Sequence, residues 1–350
     1  MNTYKRKITK KNIIYVLLVI IILINVVPVP YYVEMPGSAE SLREHVSVNH
    51  KRDKFDGDFM LTTVAVRQAT LPRLVSGYIN PTNDLISRKD MMGTNSHEEY
   101  EEMQKYNMKS SQNFAIKVAS DLADKPYDMD YKGVYVMSIE EDSDFYHRLH
   151  VGDTIKEVDN TAFDSSKELI DYIQGKEIGE TVSLVVEREN KDKHVSGKIK
   201  RIKQTKKKGI GISLVDHTEV STPSDIYFNT EDIGGPSAGL MFTLELYSLL
   251  ADKDLRQGQV VAGTGTIAPD GTVGRIGGID KKVIAAEREG ATLFFAPDDT
   301  IDPEVKKEHP TVMSNYEEAK ASVEANHLEL QVVPVKTAQD AIDYLLNKKT

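Results

Sequence analysis

The stretch "GGPSAG" (Gly234–Gly239) places one serine, Ser237, directly before an apolar run. The apolar residues of that run recur at helical spacing, so Ser237 is expected at the N-terminus of a helix. Unpaired backbone N–H groups and the helix dipole favour negative charge there. Such a serine fits three roles: a helix N-cap, part of a phosphate-binding loop, or a nucleophile beside an oxyanion hole. The stretch by itself leaves all three open.

A pair of lysines further along the chain offers the base that a serine nucleophile needs. Lys281 and Lys282 follow Gly277-Gly278, and Asp280 is expected to cap the helix that carries them. The dipole at a helix start repels cations, and in apolar surroundings this placement would lower a lysine pKa. A lysine that is neutral at about pH 7 to 8 can take the proton of a serine hydroxyl. The lysine pair therefore favours the nucleophile role for the serine.

Together the two stretches resemble the proteolytic domain of the Lon family. The sequence "GGPSAG" is similar to the nucleophile motif of that family, and "GTGTI…DGTV…IGGIDKK…AA" is similar to its lysine motif. The resemblance covers about residues 209–347. It implies that Ser237 is the nucleophile, that Lys282 is the general base, and that the Thr264 hydroxyl lies near this lysine. Lys281 would point about 100° away on a helix, so it is expected to face solvent.

The same resemblance assigns supporting positions around the pair. Backbone N–H groups near Gly235, Pro236 and Ser237 are expected to hold the oxyanion of an acyl-transfer reaction. Thr266 is a second candidate for the supporting threonine.

Two departures from the family pattern bear on activity. ATP-dependent relatives carry an acidic residue where this chain has Gly234, and the acidic pair Glu231-Asp232 lies slightly earlier. The sequence shows neither the ATPase module of those relatives nor a Walker pattern. We therefore expect cleavage without ATP, and the role of the acidic pair stays open.

A second resemblance covers about residues 128–203. The order of the strand "KGVYVMSI", the turn "VGDTIKEVDN", the helix "SSKELIDYIQ" and the strand "ETVSLVVERE" resembles a PDZ domain of bacterial proteases. It implies a groove in which an extended peptide adds as a strand, with Gly133-Val134-Tyr135-Val136 as its edge and residues 169–173 as its opposite wall. The chain lacks the standard carboxylate-binding sequence at this edge. Binding of free C-termini therefore stays open, as does a module that only packs.

The N-terminus predicts a membrane anchor. Basic residues precede an apolar run from Ile13 to Val33 that is long enough to cross a bilayer. The basic flank predicts a cytoplasmic N-terminus, with Tyr31 and Tyr32 in the far interface and the rest of the chain outside the cell. A cleaved signal peptide is the alternative, with Gly37-Ser38-Ala39 as a weak cleavage site.

Composition narrows the function classes. The net charge of −10 argues against a nucleic-acid partner, and the lack of cysteine excludes disulfides and thiol chemistry. The nine histidines show no pair at metal-binding helical spacing. We therefore expect neither a metal nor another cofactor.

These patterns predict an α+β multidomain protein. Its expected parts are a cytoplasmic tip with a transmembrane helix (1–34), an extracellular α/β region that packs with the later domains (35–127), a PDZ-like domain (128–204) and a Lon-type proteolytic α/β domain (205–350). This order resembles the membrane-anchored proteases of Gram-positive bacteria of the YlbL and SepM type. We expect an extracellular serine endopeptidase at the cell membrane that cleaves peptides, signalling peptides included, or exposed protein segments. An inactive, membrane-tethered PDZ scaffold that binds peptides is the alternative, and the sequence leaves homo-oligomers open.

Overall fold

The computed structural model describes residues 10–203, 206–231 and 233–347. Its helices are α1 (Lys10–Val26), α2 (Leu42–His45), α3 (Leu71–Ile79), α4 (Arg88–Met92), α5 (His97–Leu122), α6 (Ser166–Gly175), α7 (Gly239–Ala251), α8 (Ile279–Arg288), α9 (Pro303–Glu308), α10 (Asn315–Ala325) and α11 (Ala338–Asn347). Its strands are β1 (Pro28–Ser41), β2 (Val46–Val48), β3 (Asp58–Thr70), β4 (Asp84–Ser87), β5 (Asp128–Ile139), β6 (Thr154–Val158), β7 (Thr161–Ala162), β8 (Thr181–Arg188), β9 (Lys191–Lys198), β10 (Lys200–Arg201), β11 (Lys208–Gly209), β12 (Ile212–Ser221), β13 (Ile226–Phe228), β14 (Val260–Gly263), β15 (Thr266–Ile267), β16 (Val273–Gly274), β17 (Leu293–Pro297) and β18 (Gln331–Val335).

One mixed sheet joins the N-terminal and C-terminal parts of the chain. Its strand order is β18-β17-β14-β3-β1-β4. The strands β18, β17, β14 and β3 run parallel to one another, whereas β1 is antiparallel to both β3 and β4. Residues 28–87 therefore build half of the sheet, and the N-terminal region is an integral part of the unit that carries Ser237 and Lys282.

Helices cover both faces of this sheet. Successive side chains of a strand point to opposite faces, so Val261 and Phe295 pack with α7 and α11, while Ala262 and Phe294 pack with α8 and α10. The result is a three-layer α/β arrangement. Most of α7 is buried, because α5 covers the side that faces away from the sheet.

A second sheet forms a smaller unit with its own core. Its order is β12-β5-β6-β8-β9, with β7 paired to β6. The basic run that we predicted to be a linker forms a short antiparallel pair, β10 with β11. The next strand, β12, pairs along its length with β5 and is the edge strand of this sheet. The domain boundary predicted at residue 204 therefore falls before the last strand of the smaller unit.

The N-terminal segment differs from the predicted transmembrane helix. The helix α1 has 17 residues and ends at Val26, because Pro28 begins β1. Across residues 10–203, 206–231 and 233–347, no helix combines the length and the apolar character needed to cross a membrane. Tyr32 is buried in β1, where its hydroxyl contacts the Met92 sulfur, so it does not form part of an exposed aromatic belt. The basic residues Lys5, Arg6 and Lys7 lie outside the described residues.

Candidate active site

Ser237 lies in the turn immediately before α7. The N-cap residue of α7 is Ala238, which makes no side-chain cap bond, so Ser237 does not serve as the cap. The Ser237 carbonyl oxygen accepts hydrogen bonds from the Gly265 N–H at 2.9 Å and the Thr264 hydroxyl at 3.0 Å. These two bonds fix the serine turn to the loop that follows β14.

Lys282 lies in the first turn of α8, and a glycine makes this helix start possible. Gly278 is the N-cap residue in a left-handed conformation, with φ of 66°. A Cβ atom there would lie 2.7 Å from Cγ1 of Val64, so a larger residue is excluded by contact as well as by conformation. The predicted cap, Asp280, instead lies within the first turn of the helix.

The structure brings the serine and the lysine into direct contact. The Nζ of Lys282 lies 2.7 Å from Oγ of Ser237 and 3.0 Å from Oγ1 of Thr264. The Thr264 hydroxyl also donates to the Ser237 carbonyl oxygen, so one hydroxyl contacts both the lysine amine and the serine backbone. Thr266 lines the neighbouring cleft.

Burial sets the protonation state of Lys282. The side chain is almost wholly buried, and burial lowers its pKa from the ordinary 10.5 to about 7. The nearby carboxyl of Glu34 opposes this effect and raises the pKa. A large fraction of Lys282 is therefore neutral near pH 7, and a neutral amine can accept the proton of the Ser237 hydroxyl.

Lys281 does not face solvent, which corrects the expectation from helical spacing. It is only 1% exposed, and its ammonium group contacts Asp84 of β4 and Asp280 at 2.9 Å. The Glu34 carboxylate lies 3.9 Å away. Burial alone would lower the pKa of Lys281, but the Asp84 and Asp280 carboxylates outweigh it and raise the pKa. Lys281 is thus a charged residue that ties α8 to the N-terminal strands.

An open cleft runs past the serine and the lysine. Its volume is about 720 Å³, and Gly235, Pro236, Ser237 and Lys282 line it together with Glu34. Burial raises the pKa of Glu34 above its ordinary value, although the positive charge of Lys281 opposes this shift. The cleft is large enough to admit an extended peptide segment beside the serine.

The nucleophile turn has fewer candidate oxyanion donors than the sequence indicates. Pro236 has no N–H, and the Gly235 N–H donates to the backbone carbonyl of Gln104 at 3.0 Å. Ser237 is therefore the one of the three proposed residues whose backbone N–H is present and is not bonded to Gln104.

The helix α5 packs closely against Gly234, the position at which the sequence departs from the expected pattern. A Cβ atom on Gly234 would lie 3.0 Å from Cβ of Gln104, so even an alanine there would press against α5. Ser111, further along the same helix, donates to the Pro236 carbonyl at 3.0 Å. The structure thus positions the turn through a helix backbone and a hydroxyl. Asp232 lies outside the described residues, and Glu231 lines the cleft.

The peptide-binding edge predicted in the smaller unit is not free. Gly133-Val134-Tyr135-Val136 belong to β5, which pairs with β12 on one side and β6 on the other. The edge strand is β12, and a groove of about 340 Å³ separates Ile212–Leu214 from Leu169, Ile170 and Ile173 of α6. Leu169 and Ile173, predicted for the wall on α6, line this groove, whereas the predicted edge residues of β5 do not.

Sequence reasoning missed Glu34, Gln104 and Ser111, since all three act across more than a hundred residues of chain. The edge strand had a local signal. The alternating segment "GIGISLVD" after the basic run is typical of a strand, and its Gly211 adopts a φ of 69°. Because we interpreted the basic run as a linker, the predicted domain boundary fell before β12. The strand was therefore assigned to the proteolytic domain.

Comparison with known proteins finds two families along the chain. Residues 106–199 match the family described as the PDZ domain, and residues 229–339 match the Lon protease (S16) C-terminal proteolytic domain. The chain thus contains a PDZ domain followed by a Lon-type C-terminal proteolytic domain, which is a serine peptidase domain.

Several known proteins are similar to parts of this chain. A peroxisomal Lon protease homolog 2 of Caenorhabditis elegans is 35% identical over 114 residues, which are 33% of this chain and 12% of that protein. The Lon protease of Koribacter versatilis is 44% identical over 63 residues, which are 18% of this chain and 8% of that protein. The chain thus spans only a small part of the length of these relatives. The crystal structure of the PDZ domain of an SdrC-like protein from Listeria monocytogenes is 43% identical, with a TM-score of 0.24, and covers 25% of this chain and 90% of that structure.

Proposed function

We propose that this chain is an ATP-independent serine endopeptidase in which Ser237 and Lys282 form the catalytic dyad. The observation that carries the proposal is the 2.7 Å contact between the serine hydroxyl and a buried lysine whose pKa is lowered to about 7. A lysine in this state is matched to proton transfer at neutral pH.

The reaction begins with transfer of the Ser237 proton to neutral Lys282, while Oγ attacks the carbonyl carbon of a peptide. The negative charge develops on the carbonyl oxygen, and the Ser237 N–H is the donor proposed to stabilise it. The Lys282 ammonium then gives its proton to the leaving amine as the C–N bond breaks, and an ester on Ser237 remains. Water attacks this ester with Lys282 again as base, releasing the carboxyl product and restoring the serine.

The Thr264 hydroxyl orients the lysine in this scheme. It accepts a hydrogen bond from the Lys282 amine and donates one to the Ser237 carbonyl, so it fixes the amine relative to the nucleophile. A hydroxyl bears no net charge, so it gives this support without raising the lysine pKa as a carboxylate would.

The groove beside β12 supports peptides as substrates. Because β12 is an edge strand, an extended peptide can add to it opposite α6 and form main-chain hydrogen bonds. The same strand leads through β13 into the segment that lines the catalytic cleft. Flexible segments or short peptides, signalling peptides included, are the substrates that we propose. Action outside the cell at a membrane, as in the Gram-positive proteases named above, remains a prediction from the sequence.

The Ser237→Ala variant tests the proposal, with Ser38→Ala as a matched control because Ser38 lines the same cleft. We expect Ser237→Ala to lose cleavage of a peptide library, measured by mass spectrometry, while Ser38→Ala keeps it. Cleavage by Ser237→Ala at the wild-type rate would overturn the assignment. Loss in neither or both variants, with the fold intact by circular dichroism, would also contradict a unique role for Ser237.

A further inference from the structure

The helix α3 presents an apolar face that no other part of the described chain covers. Tyr78 is 86% exposed and Ile79 is 73% exposed, and Leu71 and Val75 are exposed beside them. These four side chains recur at positions i, i+4, i+7 and i+8, so they share one side of the helix. A contiguous exposed apolar face of this kind indicates a contact site.

The packing of α3 forces this face outward. Gly77 is the buried residue of the helix, and a Cβ atom there would lie 2.7 Å from Cδ2 of Leu85 and 3.3 Å from Cγ2 of Val33. The backbone of the helix therefore approaches the sheet closely at Gly77, which has no side chain. Its larger apolar side chains are directed away from the core.

The exposed face of α3 adjoins a second exposed apolar element, the helix α1. Thr70, which caps α3, pairs with Pro28, two residues after the end of α1, and the two helices are in contact. All described residues of α1 are exposed, including its run of isoleucine, leucine and valine. The two helices thus form one apolar surface at one end of the sheet.

The charge around this surface is unusual for an acidic chain. The chain has 54 acidic residues, yet residues 10–33 and 67–83, which meet at this end of the sheet, contain no Asp or Glu. Arg67 and Arg73 are exposed beside the apolar face. An acid-free apolar face with arginines at its side is complementary to an anionic lipid surface, which would repel the rest of a chain with net charge −10.

We propose that the apolar face of α3, together with the adjoining end of α1, lies in the headgroup region of an anionic lipid bilayer. Contact of this kind needs an amphipathic helix in the plane of the interface and does not need a helix that crosses. The proposal is independent of the proposed peptidase activity. A second copy of the chain is the competing occupant. In a two-fold contact the arginines beside the two identical faces would meet without acidic residues from residues 10–33 or 67–83 to pair with, so the charge favours lipid.

The lack of cysteine allows a direct test with the full chain. Single cysteines at Val75 and Tyr78 carry an environment-sensitive fluorophore, with two matched controls. Ser76→Cys lies on the polar side of the same helix and is exposed. Tyr227→Cys replaces an exposed tyrosine on β13. This strand pairs with β2, which follows the far end of β1, and the 14 residues of β1 span about 45 Å.

Vesicles of phosphatidylcholine and phosphatidylglycerol are then added, with a quencher attached to the lipid. We expect a blue shift and strong quenching at Val75 and Tyr78, weaker effects at Ser76, and no change at Tyr227. Emission at Val75 and Tyr78 that stays at its aqueous value would overturn the proposal. A blue shift that grows with protein concentration in the absence of vesicles would overturn it in favour of a second copy.

Discussion

The two neighbouring lysines of α8 have similar burial and opposite electrostatic settings. Lys281 and Lys282 are 1% and 3% exposed, respectively. The first contacts carboxylates, which raise its pKa, whereas the second contacts the hydroxyls of Ser237 and Thr264, and burial lowers its pKa to about 7. The partners of a buried lysine therefore decide whether it serves as a structural cation or as a base.

The same comparison shows how the N-terminal strands contribute to the site. Asp84 and Glu34 come from β4 and β1, and they hold the ammonium group of Lys281 at the start of α8. Fixing that turn of the helix also fixes Lys282, one residue later, against Ser237. The N-terminal region thus supports the proposed catalytic pair, although it makes no direct contact with the serine hydroxyl in the proposed mechanism.

The largest expected effect separates the two lysines by activity. Lys282→Met should reduce kcat/KM for a cleaved peptide by about a thousandfold or more, because the general base is lost. Lys281→Met should retain measurable cleavage, since its role is to position α8. Equal losses in the two variants, both folded by circular dichroism, would contradict the division of roles.

Stability should change in opposite directions. The pKa of Lys282 in the folded chain lies below its value in the unfolded chain, so the unfolded chain binds more protons between about pH 7 and 10.5. Burial of this lysine therefore costs stability at pH 7, and the cost falls as pH rises through that window. Lys282→Met should therefore raise the free energy of unfolding at pH 7 by on the order of 2–4 kcal/mol and remove that pH dependence.

Lys281→Met should lower the free energy of unfolding by about 1–3 kcal/mol, because it leaves carboxylates without their cation, although Asp84 and Asp280 are partly exposed. Denaturant titrations of both variants at several pH values provide the measurement. A lower stability for Lys282→Met at pH 7 would show that its amine is not a costly buried group.

The next largest effect on activity is expected at Thr264, whose hydroxyl contacts the Lys282 amine. Thr264→Val keeps the shape of the side chain and removes the hydroxyl, so we expect a loss in kcat of about tenfold to a hundredfold, because the amine is less well oriented. Thr266→Val, in the same cleft, is the matched control and should change kcat little. The hypothesis fails if the Thr266 variant is the more impaired of the two.

The smallest expected effect concerns Glu34. Its carboxylate raises the pKa of Lys282, so Glu34→Gln should lower that pKa and move the rising limb of the pH–activity profile to lower pH. The maximal rate should change only a few-fold, since the carboxyl takes no part in bond changes. A profile displaced to higher pH would contradict the proposed influence of Glu34 on Lys282.

The sequence predicted the serine and the lysine because each stands in a local pattern with a recognisable helix start. It predicted Lys281 wrongly because helical spacing describes one helix, and the second side of α8 is covered by strands from the distant N-terminus. Long-range pairing of this kind leaves no local trace.

The smaller unit shows a different reason for error. Its helix α6 was identified from its cap and its spacing, and the structure confirms a side-chain cap bond at Ser165. Its edge strand was separated from it by a basic run that has the composition of a linker. Composition alone does not distinguish a linker from a short hairpin such as β10 and β11, and only the pairing of β12 with β5 resolves the assignment.

The central claim is that Lys282 acts as a neutral base for Ser237, and the pH dependence of kcat/KM for peptide cleavage tests it most directly. This parameter reports the ionisation of the free enzyme. The account predicts a rise in kcat/KM with pH and a midpoint near 7, the value to which burial lowers the pKa of Lys282. A profile that is flat from about pH 5 to 9, or a midpoint near the ordinary lysine pKa of 10.5, would contradict it.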